Sequence, residues 1–284
     1  MKLLSFSHQG QDRWGVLHGA TVYEWTSSAT PSLRSALSQE LFHSQAFLVH
    51  QGVDDSRPQW PLSALKLLPP ITDPDKILCI GVNYPSHAGE TGRPANLVQP
   101  SVFVRFPSSQ VGHEAPVICP RLSSKFDYEG ELAVIIGKRA RHIREEEALN
   151  VVAGYSCFAE NSARDFQGHS TQVTAGKNFH HSGAFGPWLV TPDEIGKLQA
   201  LELQTRLNGQ IVQQDKLGNM LFSVQQLIAY ISSFTELLPG DVIATGTPAG
   251  VGALRQPPIF LKPGDHLEVD IQQIGLLSNR LIAE

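Results

Sequence analysis

The chain has 284 residues, of which 41% are hydrophobic and only 17% charged, against roughly 25% charged in an average soluble domain. A formal net charge of −5 without a long lysine or arginine run argues against nucleic acid or an anionic membrane surface as a partner. No uninterrupted apolar stretch reaches the roughly 18 residues needed to span a bilayer, and no secretory h-region is present, so the expectation is a soluble, cytoplasmic protein.

Residues 1–24 alternate short apolar and polar runs around Gly10, Gly15 and Gly19, which predicts a small β-meander. Apolar positions at helical spacing predict a helix over 32–51, stopped by Gly52. The Pro-rich stretch from Pro69 to Pro74 then divides the chain into a small domain, 1–70, and a larger one, 71–284. In the larger part KILCIG (76–81), SVFVRF (101–106), LAVIIG (132–137), GYSCFAE (154–160) and DVIAT (241–245) read as buried strands. The few cysteines, Cys79, Cys119 and Cys157, lie in apolar strand-like sequence and are expected as reduced, buried thiols. Asn208-Gly209 between LELQTRL and QIVQQ marks a hairpin, because a type I′ turn needs positive φ at both positions. A further strand pair is expected over His266 to Ile271 and Leu276 to Ile282. Helices are few: one begins at the acidic turn Glu145-Glu146-Glu147, and another covers 223–234. The fold class is therefore α+β, β-dominated.

Asp127, Glu129 and Glu131 stand at i, i+2 and i+4 before LAVIIG, and on an extended strand they share one face. Each adjacent carboxylate pair, about 7 Å apart, would repel by roughly 2 kcal/mol at an effective dielectric near 20. Beside a buried strand that repulsion calls for a cation, an arginine or raised pKa values; on an open edge-strand face water suffices. Glu160, ending another apolar strand, adds a further acid. An all-oxygen set of this kind suits Mg²⁺, Mn²⁺ or Ca²⁺ rather than zinc. His180-His181 are adjacent, which is poor geometry for one metal, and are read as loop residues.

His87 and Glu90 lie three apart after the strand KILCIG, a spacing that lets the carboxylate orient the imidazole on a helical turn. Gly246, Gly250 and Gly252 in ATGTPAGVG follow a strand, yet neither the phosphate-loop nor the G-x-G-x-x-G pattern fits. Arg164 and Asp165 are read as a structural ion pair, with direct substrate contact by Arg164 as the alternative.

The blocks DYEGELAVIIGKRAR, GYSCFAENSARDFQ, AGKNFHHSGAFGPWLVT and PGDVIATGTPAGVG, in this order, resemble the fumarylacetoacetate hydrolase family over roughly residues 75–282. The resemblance implies a mixed β-sheet roll with a small N-terminal α/β domain, and a homodimer. It implies that Glu129, Glu131 and Glu160 hold Mg²⁺ or Mn²⁺, leaving Asp127 beside the ligand set. The family usually has Asn-Asp where this chain has Ala159-Glu160, so the third ligand is one methylene longer. His87 and Glu90 become an acid–base dyad on a mobile lid, with Gly89, Gly92 and Pro94 suiting the movement. Lys177 would face the metal-bound substrate, Gln167 would contact it, Thr247 with Gly246 would bind its carboxylate, and Arg105 a distal acidic group. The reaction implied is hydrolysis of a C–C bond in an acylpyruvate-type 2,4-dioxo acid, such as fumarylpyruvate or maleylpyruvate, in aromatic catabolism. Isomerisation, tautomerisation or decarboxylation of a related oxo acid is the alternative, and a non-catalytic ligand-binding member the third reading.

Overall fold

The run LAVIIG forms the centre of the molecule. In the computed structural model, which describes residues 1–43, 52–92 and 95–284, the strand Gly130–Ile136 is buried at every position. A strand covered on both faces needs apolar side chains on both, and the alternation divides them. Leu132, Val134 and Ile136 pack with Leu203, Val269 and Leu277, whereas Ala133 and Ile135 pack with Trp14, Leu33 and Phe158.

This strand belongs to a mixed twelve-stranded sheet. Its path runs Gln59–Pro61, Thr21–Glu24, Gln11–His18, Lys2–His8, Gly183–Val190, Val152–Ala159, Gly130–Ile136, Val242–Ala244, Ile77–Gly81 and Ser101–Arg105. Lys66–Leu67 and Gln110–Val111 pair off that path. Val242–Ala244 runs parallel to Ile77–Gly81, and Gln110–Val111 parallel to Gly183–Val190; the other pairs are antiparallel. A five-stranded sheet, Gln210–Lys216, Glu202–Leu207, His266–Ile271, Gly275–Ala283 and Val117–Cys119, faces it across the larger core. The hairpin turn is the one expected, with φ of 52° at Asn208 and 79° at Gly209.

The meander over the first 24 residues is present, and its turns carry positive φ at Gly10 and Gly19. Gly15 is not a turn residue: it lies inside Gln11–His18, where a Cβ would come 2.3 Å from the Tyr23 carbonyl oxygen. Lys2–His8 pairs with Gly183–Val190, so one sheet runs through both the first 70 residues and the remainder.

The helix expected over 32–51 is shorter. Ser32 caps Leu33–Ser38 in a reciprocal capping box with Ser35, and the helix closes at Gln39; residues 44–51 lie outside the described residues. Ser223 and Gln226 form the same box at the start of Val224–Phe234. Glu145–Val151 is a 3-10 helix with its acids in the first turn. Cys79 and Cys157 are buried free thiols, and Cys119 is partly exposed. Among the described residues no helix is long and apolar enough to cross a membrane.

Candidate active site

The acids come together through strand pairing. Gly130–Ile136 runs antiparallel to Val152–Ala159 with Gly130 opposite Ala159, so Glu160, one residue past the strand, lies beside Glu129, and its amide donates to the Glu129 carbonyl at 2.8 Å. Asp127 does not stand on one strand with Glu129 and Glu131, because Gly130–Ile136 starts three residues later and even Glu129 lies just before it. It belongs to Phe126–Asp127, which pairs with Ser162–Ala163. There it is fully buried and accepts from Arg164 Nε at 2.9 Å, Gly252 N at 2.7 Å, Ala253 N at 3.0 Å and Tyr128 N at 2.9 Å.

Glu129, Glu131 and Glu160 are all buried and line one cavity of about 580 Å³, together with Lys177 and His87. Lys177 Nζ, itself buried, lies 2.5 Å from Glu129 Oε2 and 2.9 Å from Glu160 Oε2. Glu129 also accepts from Ser162 Oγ at 2.6 Å and Arg164 Nη2 at 2.9 Å. Burial opposes its charge, but Arg164 and Lys177 outweigh burial and hold the carboxyl far below the carboxylate range. Burial lowers the Lys177 pKa less than Glu129 and Glu160 raise it, so the ammonium stays charged.

Glu131 stands differently. Its Oε2 accepts from Gly246 N at 2.8 Å, and no cation pairs with it among the described residues. Burial, then the charges of Glu160 and Glu129, push its carboxyl well above the usual range. Glu160 Oε1 is buried without a hydrogen-bond partner. An uncompensated carboxyl beside an orphaned carboxylate oxygen, in an all-oxygen donor set, is chemistry that a hard divalent cation would satisfy. As placed, no three such side chains among the described residues converge for coordination, and Lys177 occupies the space between two of them.

The same cavity is lined by His87, the histidine of the dyad. Asn83 fixes the entry to helix Pro85–Thr91 by donating to the carbonyls of Thr245 at 2.8 Å and Phe222 at 3.0 Å. Pro85 opens the helix, and Gly92, at φ 68°, ends it. His87 Nδ1 lies 2.6 Å from Glu90 Oε1, and Glu90 Oε2 accepts from Gly250 N at 2.9 Å. Gly250 has φ 105°, and a Cβ there would come 2.2 Å from the Val212 carbonyl oxygen. Pro94 lies outside the described residues.

Gln167 and Thr247 also line the cavity. Gln167 Oε1 accepts from Arg164 Nη1 at 3.1 Å. The Thr247 hydroxyl donates to Gly130 O at 2.9 Å and accepts from Gln213 Nε2 at 2.8 Å. Three residues have partners the sequence did not predict. Arg105 is buried and does not line the cavity, donating to Ser109 Oγ, Asn161 O and Ser182 Oγ. The Gly246 amide is taken up by Glu131 rather than left for substrate. Arg164 pairs with Asp127 and Glu129, while Asp165 turns away to Ser123 Oγ and Ser124 N. His180 and His181 stack on each other at 3.7 Å and do not line the cavity. Ser162 and Asn83 carry no sequence signal of their own, because each acts on a residue brought close by the fold.

Residues 76–282 match the family model described as fumarylacetoacetate hydrolase, C-terminal. The chain belongs to the fumarylacetoacetate hydrolase family. Residues 1–70 match a second model, described as Rv2993c-like, N-terminal. Human mitochondrial oxaloacetate tautomerase FAHD2A is 38% identical over 256 residues, covering 89% of this chain and 81% of its own. The solved fumarylacetoacetate hydrolase of Exiguobacterium antarcticum superposes with a TM-score of 0.88 at 35% identity, covering 100% of both chains. Maleylpyruvate hydrolase from Sphingobium sp. SYK-6, solved with manganese(II) and pyruvate, gives a TM-score of 0.82 at 26% identity, covering 100% of this chain and 99% of its own. The β-dominated α+β architecture is that of this family, whose members named here are a tautomerase and hydrolases.

Proposed function

We propose that this protein is a divalent-metal-dependent enzyme that interconverts the keto and enol forms of a small 2-oxo acid of the oxaloacetate class. The reading is carried by one observation: His87, held by Glu90, lines the same cavity as three buried carboxylates. The relative that is 38% identical over most of the chain, and named an oxaloacetate tautomerase, directs the choice of reaction.

Glu129, Glu131 and Glu160 would hold Mg²⁺ or Mn²⁺, and Ca²⁺ suits the same donors. A cation held there would supply Lewis-acid polarisation of the oxo acid. In the keto-to-enol direction His87 takes the proton from the carbon beside the 2-oxo carbonyl while the oxygen gains a proton from solvent. In reverse the enol O–H proton leaves to solvent and His87 returns one to carbon, with Glu90 stabilising the imidazolium in between. Lys177 sets a fixed positive charge against the negative charge that develops on oxygen. Gln167 and Thr247 border the bound acid.

Hydrolysis of an acylpyruvate is the second reading, supported by the same dyad and by the maleylpyruvate hydrolase neighbour. There His87 would take its proton from water. The test follows decay of enol-oxaloacetate alongside release of carbon dioxide, and release of pyruvate from fumarylpyruvate and maleylpyruvate, with Mn²⁺ or with chelator. Tautomerisation predicts Mn²⁺-dependent enol decay without either product. Pyruvate release with enol decay at the uncatalysed rate would replace the first reading by the second. Metal binding without turnover of any of these acids would leave a ligand-binding protein.

A further inference from the structure

The glycine-rich loop that fits no nucleotide pattern spends its amides on carboxylates. Gly246 N donates to Glu131, Gly250 N to Glu90, and Gly252 N and Ala253 N to the two oxygens of Asp127. One loop thus holds acids from three separate elements of the fold. Only Val251 separates the amide that reaches Glu90 from the first of the pair that reaches Asp127. That short span has little slack: a Cβ at Gly252 would come 1.8 Å from the Ile259 carbonyl oxygen and 2.6 Å from Asp127 Oδ1. Tyr128, next to Asp127, donates its hydroxyl to Gly250 O at 3.1 Å, and Arg255 Nε donates to the same oxygen at 3.0 Å.

Asp127 is fully buried and does not line the cavity. Glu90 is on a helix at the cavity wall with 20% of its side chain exposed, and its aim at His87 depends on the Gly250 amide. We propose that Asp127 is a positioning residue for the His87–Glu90 dyad, acting through the loop it clamps at Gly252 and Ala253. Anchoring the outer partner of a histidine in this way fixes the ring's orientation and basicity. The functional consequence rests on the dyad being the acid–base group of the proposed reaction; the placement itself does not.

The experiment uses the full chain carrying Asp127→Asn, Tyr128→Phe, both together, or Gly250→Ala. Asparagine sets an amide donor against Ala253 N–H and Arg164 Nε–H, which expels the clamp. Three quantities are read: kcat and KM on enol-oxaloacetate, Mn²⁺ affinity from water-proton relaxation, and the His87 titration midpoint by NMR, assigned from its loss in His87→Gln. Losing an orienting partner of this kind costs about 10–100-fold in activity, and that is the kcat loss expected for Asp127→Asn and Gly250→Ala. Tyr128→Phe should lose about threefold, and the double variant little more than Asp127→Asn alone, because coupled residues are not additive. KM and Mn²⁺ affinity should stay within about twofold.

With the amide withdrawn, Glu90 becomes more basic and the His87 midpoint moves up in every variant. Loss of the Asp127 charge alone would move it down. The charged groups that line the cavity with His87, namely Glu129, Glu131, Glu160, Arg164 and Lys177, are not themselves altered in Gly250→Ala. Weakened Mn²⁺ binding with an unmoved His87 midpoint in Asp127→Asn would overturn the proposal, placing Asp127 with Arg164 and Glu129 instead. Should Asp127→Asn not fold, an unchanged midpoint in both Tyr128→Phe and Gly250→Ala overturns it equally. If no oxo acid turns over, the reaction assignment fails, while the midpoint still decides the positioning.

Discussion

Lys177 lies 2.9 Å from Glu160, on the carboxylate whose other oxygen is buried without a partner. The same ammonium lies 2.5 Å from Glu129, so one lysine serves two of the three carboxylates, and Glu131 has none. That uneven distribution of charge sets opposite expectations for neighbouring substitutions.

Lys177→Met should destabilise the chelator-treated protein by about 3–5 kcal/mol, the usual cost of leaving a buried charge without its partner. Mn²⁺ should then raise the variant's denaturation midpoint by more than it raises the wild type's. Urea unfolding with chelator and with Mn²⁺ checks both; equal stability of the two metal-free proteins would remove Lys177 as the counter-ion.

Glu131→Gln should behave in the opposite sense. Its carboxyl is pushed well above the usual range, first by burial and then by Glu160 and Glu129, so a neutral amide removes a charge that its surroundings disfavour. Metal-free stability should change by less than about 1 kcal/mol, while Mn²⁺ affinity falls tenfold or more. Calorimetric titration with Mn²⁺ beside a urea curve separates the two effects.

Glu90→Gln keeps the shape of the dyad and removes its charge. We expect kcat to fall by about 10²-fold with Mn²⁺ affinity unchanged, since Glu90 makes its contacts to His87 and Gly250 rather than to the three carboxylates. Steady-state kinetics and Mn²⁺ relaxation on the same preparation provide the check. Unaltered kcat would mean that His87 works without its carboxylate.

Asp165 gives a prediction in pH. Burial raises its carboxyl, but the Ser123 hydroxyl and the amides of Ser124 and Phe166 more than offset this, and the net shift is downward. A depressed native pKa contributes stability above the unfolded value, near about 3.9, that is lost as pH falls through the native value. Asp165→Asn should therefore be less stable than wild type at pH 6, with the gap closing under acid conditions. Urea midpoints across that range test the sign.

Ser223→Ala removes the side-chain acceptor for Gln226 N at the start of Val224–Phe234. The expected cost is about 1 kcal/mol. Restoration by Ser223→Asp, measured in the same melts, would tie the loss to the cap.

The central strands were legible because both of their faces are apolar, and the Asn208-Gly209 turn because few residues accept positive φ in succession. SVFVRF, expected to be buried, forms the end strand of the sheet with Ser101 and Val104 exposed. The cap at Ser223 was not singled out, although Ser-x-x-Gln spells it. In the site, spacing and the ends of apolar runs mark Asp127, Glu129, Glu131 and Glu160, while the narrowing to Glu129, Glu131 and Glu160 rests on the family resemblance. Asp127 was misplaced because alternation holds only while the chain stays extended, and Gly130–Ile136 begins after it. Arg164 was paired with its sequence neighbour because proximity in sequence is the only proximity a sequence displays; the fold turns it toward Asp127 and Glu129 instead. Arg105 shows the same limit from the other side: the pattern placed it on a strand but not on which side of the carboxylates its guanidinium would lie.

The pairing of Lys2–His8 with Gly183–Val190 bears on how this protein can be cut. The two family models meet between residues 70 and 76, and a truncation there looks natural on paper. It would take Lys2 and Leu3 from beside Val190 and Leu189, leave that end of Gly183–Val190 an open edge, and uncover Leu189 and Phe185. Such a fragment would carry every carboxylate of the site and still be a template for association with its own copies.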